Sequence, residues 1–156
     1  MDIKILSITD PEEKSGYAEK ILRRLPEWFG NEEGLKDYIK GVRELPFFAA
    51  MDSNEGCVGF FSVKQHYSHT GDIYVCGVLP EYQNKGIGKK LFSFAENYMK
   101  QNGCKYIIVK TLSEIANYEP YLRTQLFYKS VGFEPLITLN EMWDEENPCL
   151  IMIKII

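Results

Sequence analysis

The sequence predicts an α/β fold, and three observations carry that expectation. Asp72–Leu79 reads as a strand, Gly86-Ile87-Gly88 opens a helix closed by Gly103, and Tyr106–Leu112 reads as the next strand, which together make one β-α-β unit. Short β-branched or aromatic runs before and after it have strand character. The composition, 45% hydrophobic and 13% aromatic over 156 residues, supplies enough apolar mass for a buried core. No repeat, low-complexity tract or Gly/Ser linker interrupts the chain, so one domain over residues 1–156 is expected.

In order, Ile3–Ile8 reads as a first strand. Pro11-Glu12-Glu13 then opens a helix to about Leu25, capped by Thr9 or Asp10, because proline fits the first helical turn. Leu25–Gly30 is an aromatic loop, and Asn31-Glu32-Glu33 caps a second helix whose Leu35, Tyr38, Ile39 and Val42 recur at helical spacing. Phe47–Met51 and Cys57–Val63 form two antiparallel strands around the turn-like Asp52–Gly56, and His66–Gly71 is a polar loop. In the helix after Gly86, Ile87, Leu91, Phe94, Ala95, Tyr98 and Met99 fall on one face. A last helix spans about Tyr118–Val131, and Phe133–Leu139 and Cys149–Ile155 form a final strand pair around an acidic loop.

The charge balance, 18 Lys+Arg against 22 Asp+Glu for a net −4, gives no field to hold a polyanion over the whole surface. Nucleic acid is therefore not an expected partner. No stretch approaches the roughly 20 apolar residues of a membrane span, and Met1-Asp2-Ile3-Lys4 lacks the pattern of a signal peptide, so no membrane is expected and a cytoplasmic location is. Cys57, Cys76, Cys104 and Cys149 form no C-x-x-C pair and have no His cluster near them, which predicts buried free thiols and no metal.

The chemistry centres on Gln83-Asn84-Lys85-Gly86-Ile87-Gly88-Lys89. It lies between a strand and a helix, where the first N–H groups lack intrahelical partners and the helix dipole favours an anion. Two glycines remove β-carbons that would block close approach, and Lys85, Lys89 and Lys90 add positive charge. It is not a Walker A loop, since Gln83 and Lys90 stand where that motif needs Gly and Ser or Thr. Gly77, inside an otherwise β-branched and aromatic run, predicts a bulge or a close approach of backbones, or simply a packing glycine.

Gln83-x-x-Gly86-x-Gly88, preceded by Val78-Leu79-Pro80-Glu81-Tyr82 and followed by Phe127-Tyr128-Lys129-Ser130-Val131-Gly132-Phe133, resembles the GNAT acetyltransferase superfamily. The likeness is clearest from Asp72 to Phe133. It implies a mixed sheet of six to seven strands, splayed at the acetyl-CoA site and flanked by about four helices. It implies acetyl-CoA as co-substrate, with pyrophosphate on Gln83, Asn84, Lys85, Gly86, Ile87, Gly88 and Lys89 and pantetheine along Cys76, Gly77 and Val78, where a bulge N–H could polarise the thioester carbonyl. Tyr128 matches the family tyrosine that protonates the departing thiolate; its helix pattern alone reads as a core tyrosine.

Asp72 stands where one branch of the family carries an activating glutamate, and strand alternation puts Asp72, Tyr74 and Cys76 on one face. An exposed acid opening a strand is the other reading, and His66 and His69 are further candidate bases. The chain departs from the family at Tyr121, where many relatives carry an asparagine against the pantetheine, and Asn117 is the candidate substitute. The resemblance places the acceptor wall at the first two helices, implicating Trp28 and Phe29 with Tyr74, and Glu27, Glu32 and Glu33 nearby; the loop Asn140–Asn147, with four acids, could close over an amine. The expected activity is direct acetyl transfer to a primary amine, a small cationic amine ahead of a protein lysine or N-terminus. A catalytically silent acyl-CoA-binding module is the alternative, and edge-strand homodimers are common in the family.

Overall fold

In the computed structural model, which describes residues 2–144 and 146–156, seven strands form one sheet. They are β1 (Ile3–Ser7), β2 (Phe47–Asp52), β3 (Gly56–His66), β4 (Thr70–Val78), β5 (Tyr106–Leu112), β6 (Glu134–Asp144) and β7 (Asn147–Ile155), and they lie in the order β1-β2-β3-β4-β5-β7-β6. Among the described residues four α-helices flank them: α1 (Pro11–Leu22), α2 (Glu32–Gly41), α3 (Ile87–Gln101) and α4 (Glu119–Ser130). All neighbouring strands are antiparallel except β4 and β5. Met1 and Glu145 lie outside the described residues.

Local chemistry explains the helix ends. The Asp10 carboxylate accepts a hydrogen bond from the Glu12 amide at 3.3 Å, and the Asn31 side chain accepts one from the Gly34 amide at 2.9 Å. Helix α1 stops at Leu22, three residues short of the expectation. The Arg24 and Leu25 amides bond the Ile21 and Leu22 carbonyls, a tighter three-residue turn, and Pro26 then keeps the chain from continuing.

The core has two layers. Helix α3 covers one face of the sheet, where Phe61 meets Phe92 edge to face, and α1 covers the other, where Ile21 and Leu22 are fully buried. Each such side chain contributes roughly 1.5–3 kcal/mol on burial. The sheet meets the helices so closely that a β-carbon on Gly71 would lie 2.2 Å from Met99 Sδ, and one on Gly77 would lie 2.8 Å from Leu25 Cδ1.

Those two glycines show what β4 does between them. Gly71 faces α3 and Gly77 faces α1, although an even strand would turn residues six apart to the same face. The register explains this: Ser62 pairs with Val75 but Val63 pairs with Ile73, so Tyr74 is the extra residue of a β-bulge. The bulge sits at Tyr74 and not at Gly77, which pairs in register with Phe60 and is small because α1 packs on it. The bulge also reverses the alternation. Asp72 and Tyr74 share the α2 face, whereas Cys76 pairs with Phe61 and faces α3 and α4, so the expected common face of Asp72, Tyr74 and Cys76 does not form.

At the far edge β6 runs on to Asp144, so most of the expected acidic loop is strand. The Asp144 carboxylate accepts bonds from the Glu146 and Asn147 amides, both at 3.0 Å, and closes a tight hairpin.

Candidate active site

Strands β4 and β5 pair only from Thr70–Ile73 against Tyr106–Val109 and then separate. Beyond that point the facing edges, Tyr74–Val78 and Lys110–Leu112, have no strand partner across the gap, and a cleft of about 710 Å³ opens between them. A sheet interior seldom leaves backbone groups unpaired, so such an edge is a place for a ligand to pair.

One end of the cleft is the turn into α3. Asn84 and Gly86 both take left-handed backbone, at φ 60° and 83°, and the start of α3, whose first amides lack intrahelical partners, borders the cleft at Gly86, Gly88 and Lys89. Space around the Gly86 α-carbon is open, so its glycine answers to conformation. Gly88 answers to packing: a β-carbon there would lie 3.0 Å from Phe127 Cε1 on α4. The Gln83 side-chain amide donates to the Val78 carbonyl at 2.9 Å and ties the turn to the end of β4. Lys89 lines the cleft here.

Midway, Tyr128 of α4 lies 4% exposed with its Oη 3.3 Å from Cys76 Sγ. Burial drives the Tyr128 phenol well above its ordinary value of 10 and pushes the Cys76 thiol up to about 11. Both groups keep their protons at neutral pH. On the opposite wall Thr111, 2% exposed, carries a hydroxyl with no hydrogen-bond partner among the described residues. A buried hydroxyl without a partner costs about 1–3 kcal/mol, which a ligand polar group would relieve.

The far end is aromatic. Phe29 meets Tyr38 edge to face at 5.8 Å, and Tyr38 meets Tyr74 likewise at 5.3 Å. The loop carrying Trp28 is fastened to α4: Trp28 Nε1 donates to Thr124 Oγ1 at 2.9 Å, Tyr121 Oη donates to the Trp28 carbonyl at 3.1 Å, and Tyr118 Oη donates to the Glu27 carbonyl at 2.8 Å. Burial raises Tyr38 and pushes Tyr121 up to about 12.

The sequence model of the acetyltransferase (GNAT) family matches residues 17–133. The chain belongs to the GNAT family. A mycothiol acetyltransferase from Saccharopolyspora erythraea is 33% identical over 63 residues, 40% of this chain and 21% of that one. The match spans about a fifth of the length of the curated relatives. A GNAT-family protein from Desulfovibrio desulfuricans superposes with a TM-score of 0.84 at 15% identity, covering 99% of both chains. An aminoglycoside 6'-N-acetyltransferase solved with coenzyme A superposes at 0.75 and 18% identity, covering 99% of this chain and 97% of that one. At such identities the superpositions show the fold alone.

Within this GNAT domain, twelve of the residues expected at the site line the one cleft: Trp28, Phe29, Tyr74, Cys76, Gly77, Val78, Gln83, Asn84, Gly86, Gly88, Lys89 and Tyr128. Four do not. Lys85 is exposed and reaches over the Tyr82 ring at 5.7 Å, and the Ile87 side chain is buried in the core beneath its own amide. Asn117 is exposed, in left-handed backbone before α4. Asp72 is buried beside the cleft, its Oδ2 2.8 Å from His66 Nε2 and 3.7 Å from Lys110 Nζ.

The expected acids lie elsewhere too. Glu27 pairs with Arg123 at 3.4 Å, Glu32 with Arg23 at 3.1 Å, and none of the described residues of the β6–β7 hairpin lines the cleft. Tyr38, Thr111 and Tyr121 line the cleft without having been singled out as binding residues. Tyr121 was visible only as a departure from the family, and Tyr38 only as part of an apolar helix face.

Proposed function

We propose that the chain is an acetyl-CoA-dependent N-acetyltransferase that passes an acetyl group directly to a primary amine while both substrates are bound. The observation that carries this reading is the continuity of the cleft. It joins a helix N-terminus suited to phosphate, two strand edges with unpaired backbone, an unpartnered Thr111 hydroxyl and the proton-bearing Tyr128. The family and the coenzyme A held by the aminoglycoside enzyme support the same donor. GNAT enzymes act on small-molecule or peptide acceptors, and a small amine that arrives as its ammonium is the reading adopted here.

Acetyl-CoA supplies a thioester, whose carbonyl carbon takes the amine nitrogen and whose carbon–sulfur bond breaks. The α3 amides with Asn84, Gly86 and Lys89 hold its phosphates, and Tyr74–Val78 and Thr111 offer pairing groups to its amide-bearing arm. Tyr128 holds a proton at Oη and donates it toward the departing sulfur. The amine proton leaves toward Asp72, directly or through water, and the Asp72–His66 contact gives that proton an outlet at a half-exposed imidazole. Holding the two substrates in one cleft supplies much of the rate. The four free cysteines suit a reducing, cytoplasmic setting.

The test is thiol release from acetyl-CoA over a panel of amines, amino acids and peptides. Turnover with at least one amine supports the reading. Acetyl-CoA that raises the melting temperature with no acceptor turned over would replace it with a silent acyl-CoA-binding module.

A further inference from the structure

The aromatic end of the cleft carries more information about the acceptor than the family does. Phe29, Tyr38, Tyr74 and Tyr121 wall it, and no Asp or Glu side chain lines any part of the cleft among the described residues. The cationic side chains that line it are Lys89, Lys110 and Arg123. Two of them face acids already: Lys110 stands beside Asp72, and Arg123 bonds Glu27 and Glu119 while stacking 5.3 Å over Trp28. A substrate with several ammonium groups would thus bring charges that no carboxylate in the lining answers, and burying an unpaired ion is costly. A ring meets the opposite situation: its face and edge find aromatic partners already set edge to face.

We infer that the acceptor is a primary monoamine bearing an aromatic body, an arylalkylamine, whose ring lies among Phe29, Tyr38, Tyr74 and Tyr121 while its single amine turns toward Tyr128. This rests on the acetyltransferase reading above. The single charge is met by ring faces and by two carboxylates close by, Asp72, whose field reaches both Tyr38 and Tyr128, and Asp37, whose field reaches Tyr74. The Tyr38 hydroxyl has no hydrogen-bond partner among the described residues, and Tyr38 lines the cleft, while the Tyr74 hydroxyl packs against Gly41 of α2. Gly41 of α2 makes this box possible. A β-carbon there would lie 2.1 Å from Tyr74 Oη, so any larger residue displaces that ring.

The experiment measures binding of 2-phenylethylamine, n-butylamine, spermidine and an aminoglycoside to the CoA-loaded protein by calorimetry, with Gly41→Ala and Tyr38→Leu beside the unaltered chain. The expected result is 2-phenylethylamine bound at least about tenfold tighter than n-butylamine and spermidine. Gly41→Ala and Tyr38→Leu should each weaken it about fivefold or more while leaving acetyl-CoA affinity and the melting temperature close to those of the unaltered protein. Tyr38→Leu keeps the variant pair informative if Gly41→Ala disturbs α2. Spermidine or the aminoglycoside binding as tightly as 2-phenylethylamine, no preference over n-butylamine, or no amine binding at all would overturn the inference. Failure of the acetyltransferase reading looks different: acetyl-CoA fails to bind, or no acceptor releases thiol although the arylalkylamine binds.

Discussion

The two ends of the cleft are built in opposite ways. The end at α3 is one contiguous run, Gln83–Lys89, made of backbone amides, two left-handed residues and two exposed lysines, of which Lys89 lines the cleft. The other end gathers Phe29 from a loop, Tyr38 from α2, Tyr74 from the bulge in β4 and Tyr121 from α4. The first is wet and cationic; the second is dry, with burial raising Tyr38, Tyr74 and Tyr121 there and Cys76 and Tyr128 beside it. A site for phosphate can be local because backbone supplies it. A site for a ring needs side chains from several directions, which only tertiary structure brings together.

Substituting Tyr128 at the junction is the sharpest way to test this division. Tyr128→Phe should lower kcat about 100-fold or more while acetyl-CoA affinity stays within about twofold, since the ring keeps its packing and loses only the proton. Steady-state kinetics with a binding titration separates the two quantities. A large loss of acetyl-CoA affinity would move Tyr128 into the donor half. Next in size is the alkaline limb of stability. Cys76 and Tyr121 have folded values near 11 and 12, above those of the unfolded chain, so their contribution is fully present below the unfolded values near 9 and 10 and is lost as pH rises through the folded ones. Each is worth on the order of 1–2 kcal/mol after discounting partial exposure. Melting temperature should therefore fall between pH 9 and 12, and Tyr121→Phe should flatten that fall; an unchanged slope would contradict the dry end.

The same division decides what was legible in the sequence. The β-α-β unit and the Gly86 turn could be read because spacing along the chain carries them, whereas Tyr128 was expected at the site from the family resemblance alone. The face of Cys76 could not: one bulge at Tyr74 reverses every later residue of β4, and bulges leave no pattern when the extra residue is itself a good strand former. Gly77 drew the attention that Tyr74 merited. The acids Glu27 and Glu32 looked like acceptor contacts by proximity to Trp28, but each is taken by an arginine that sequence distance concealed, Arg123 and Arg23. Thr111 carried no signal, since an unpartnered hydroxyl is a property of the fold around it.

Two smaller effects act on the wet end alone. Gly86→Val forces a β-branched residue into φ 83°, a strain of about 1–2 kcal/mol, and should weaken acetyl-CoA about tenfold without altering the KM of the amine. Parallel shifts in both constants would mean that the turn also shapes the acceptor end. Lys89→Ala should do less, about two- to fivefold in acetyl-CoA affinity, because an exposed lysine meets phosphate through water and salt. Its signature is the salt dependence. Acetyl-CoA affinity of the unaltered protein should fall as sodium chloride rises, and fall less steeply in Lys89→Ala, while amine binding at the dry end stays nearly level. Equal salt slopes in the two proteins would place the phosphates on backbone amides alone, leaving Lys89 to steer the donor inward without holding it.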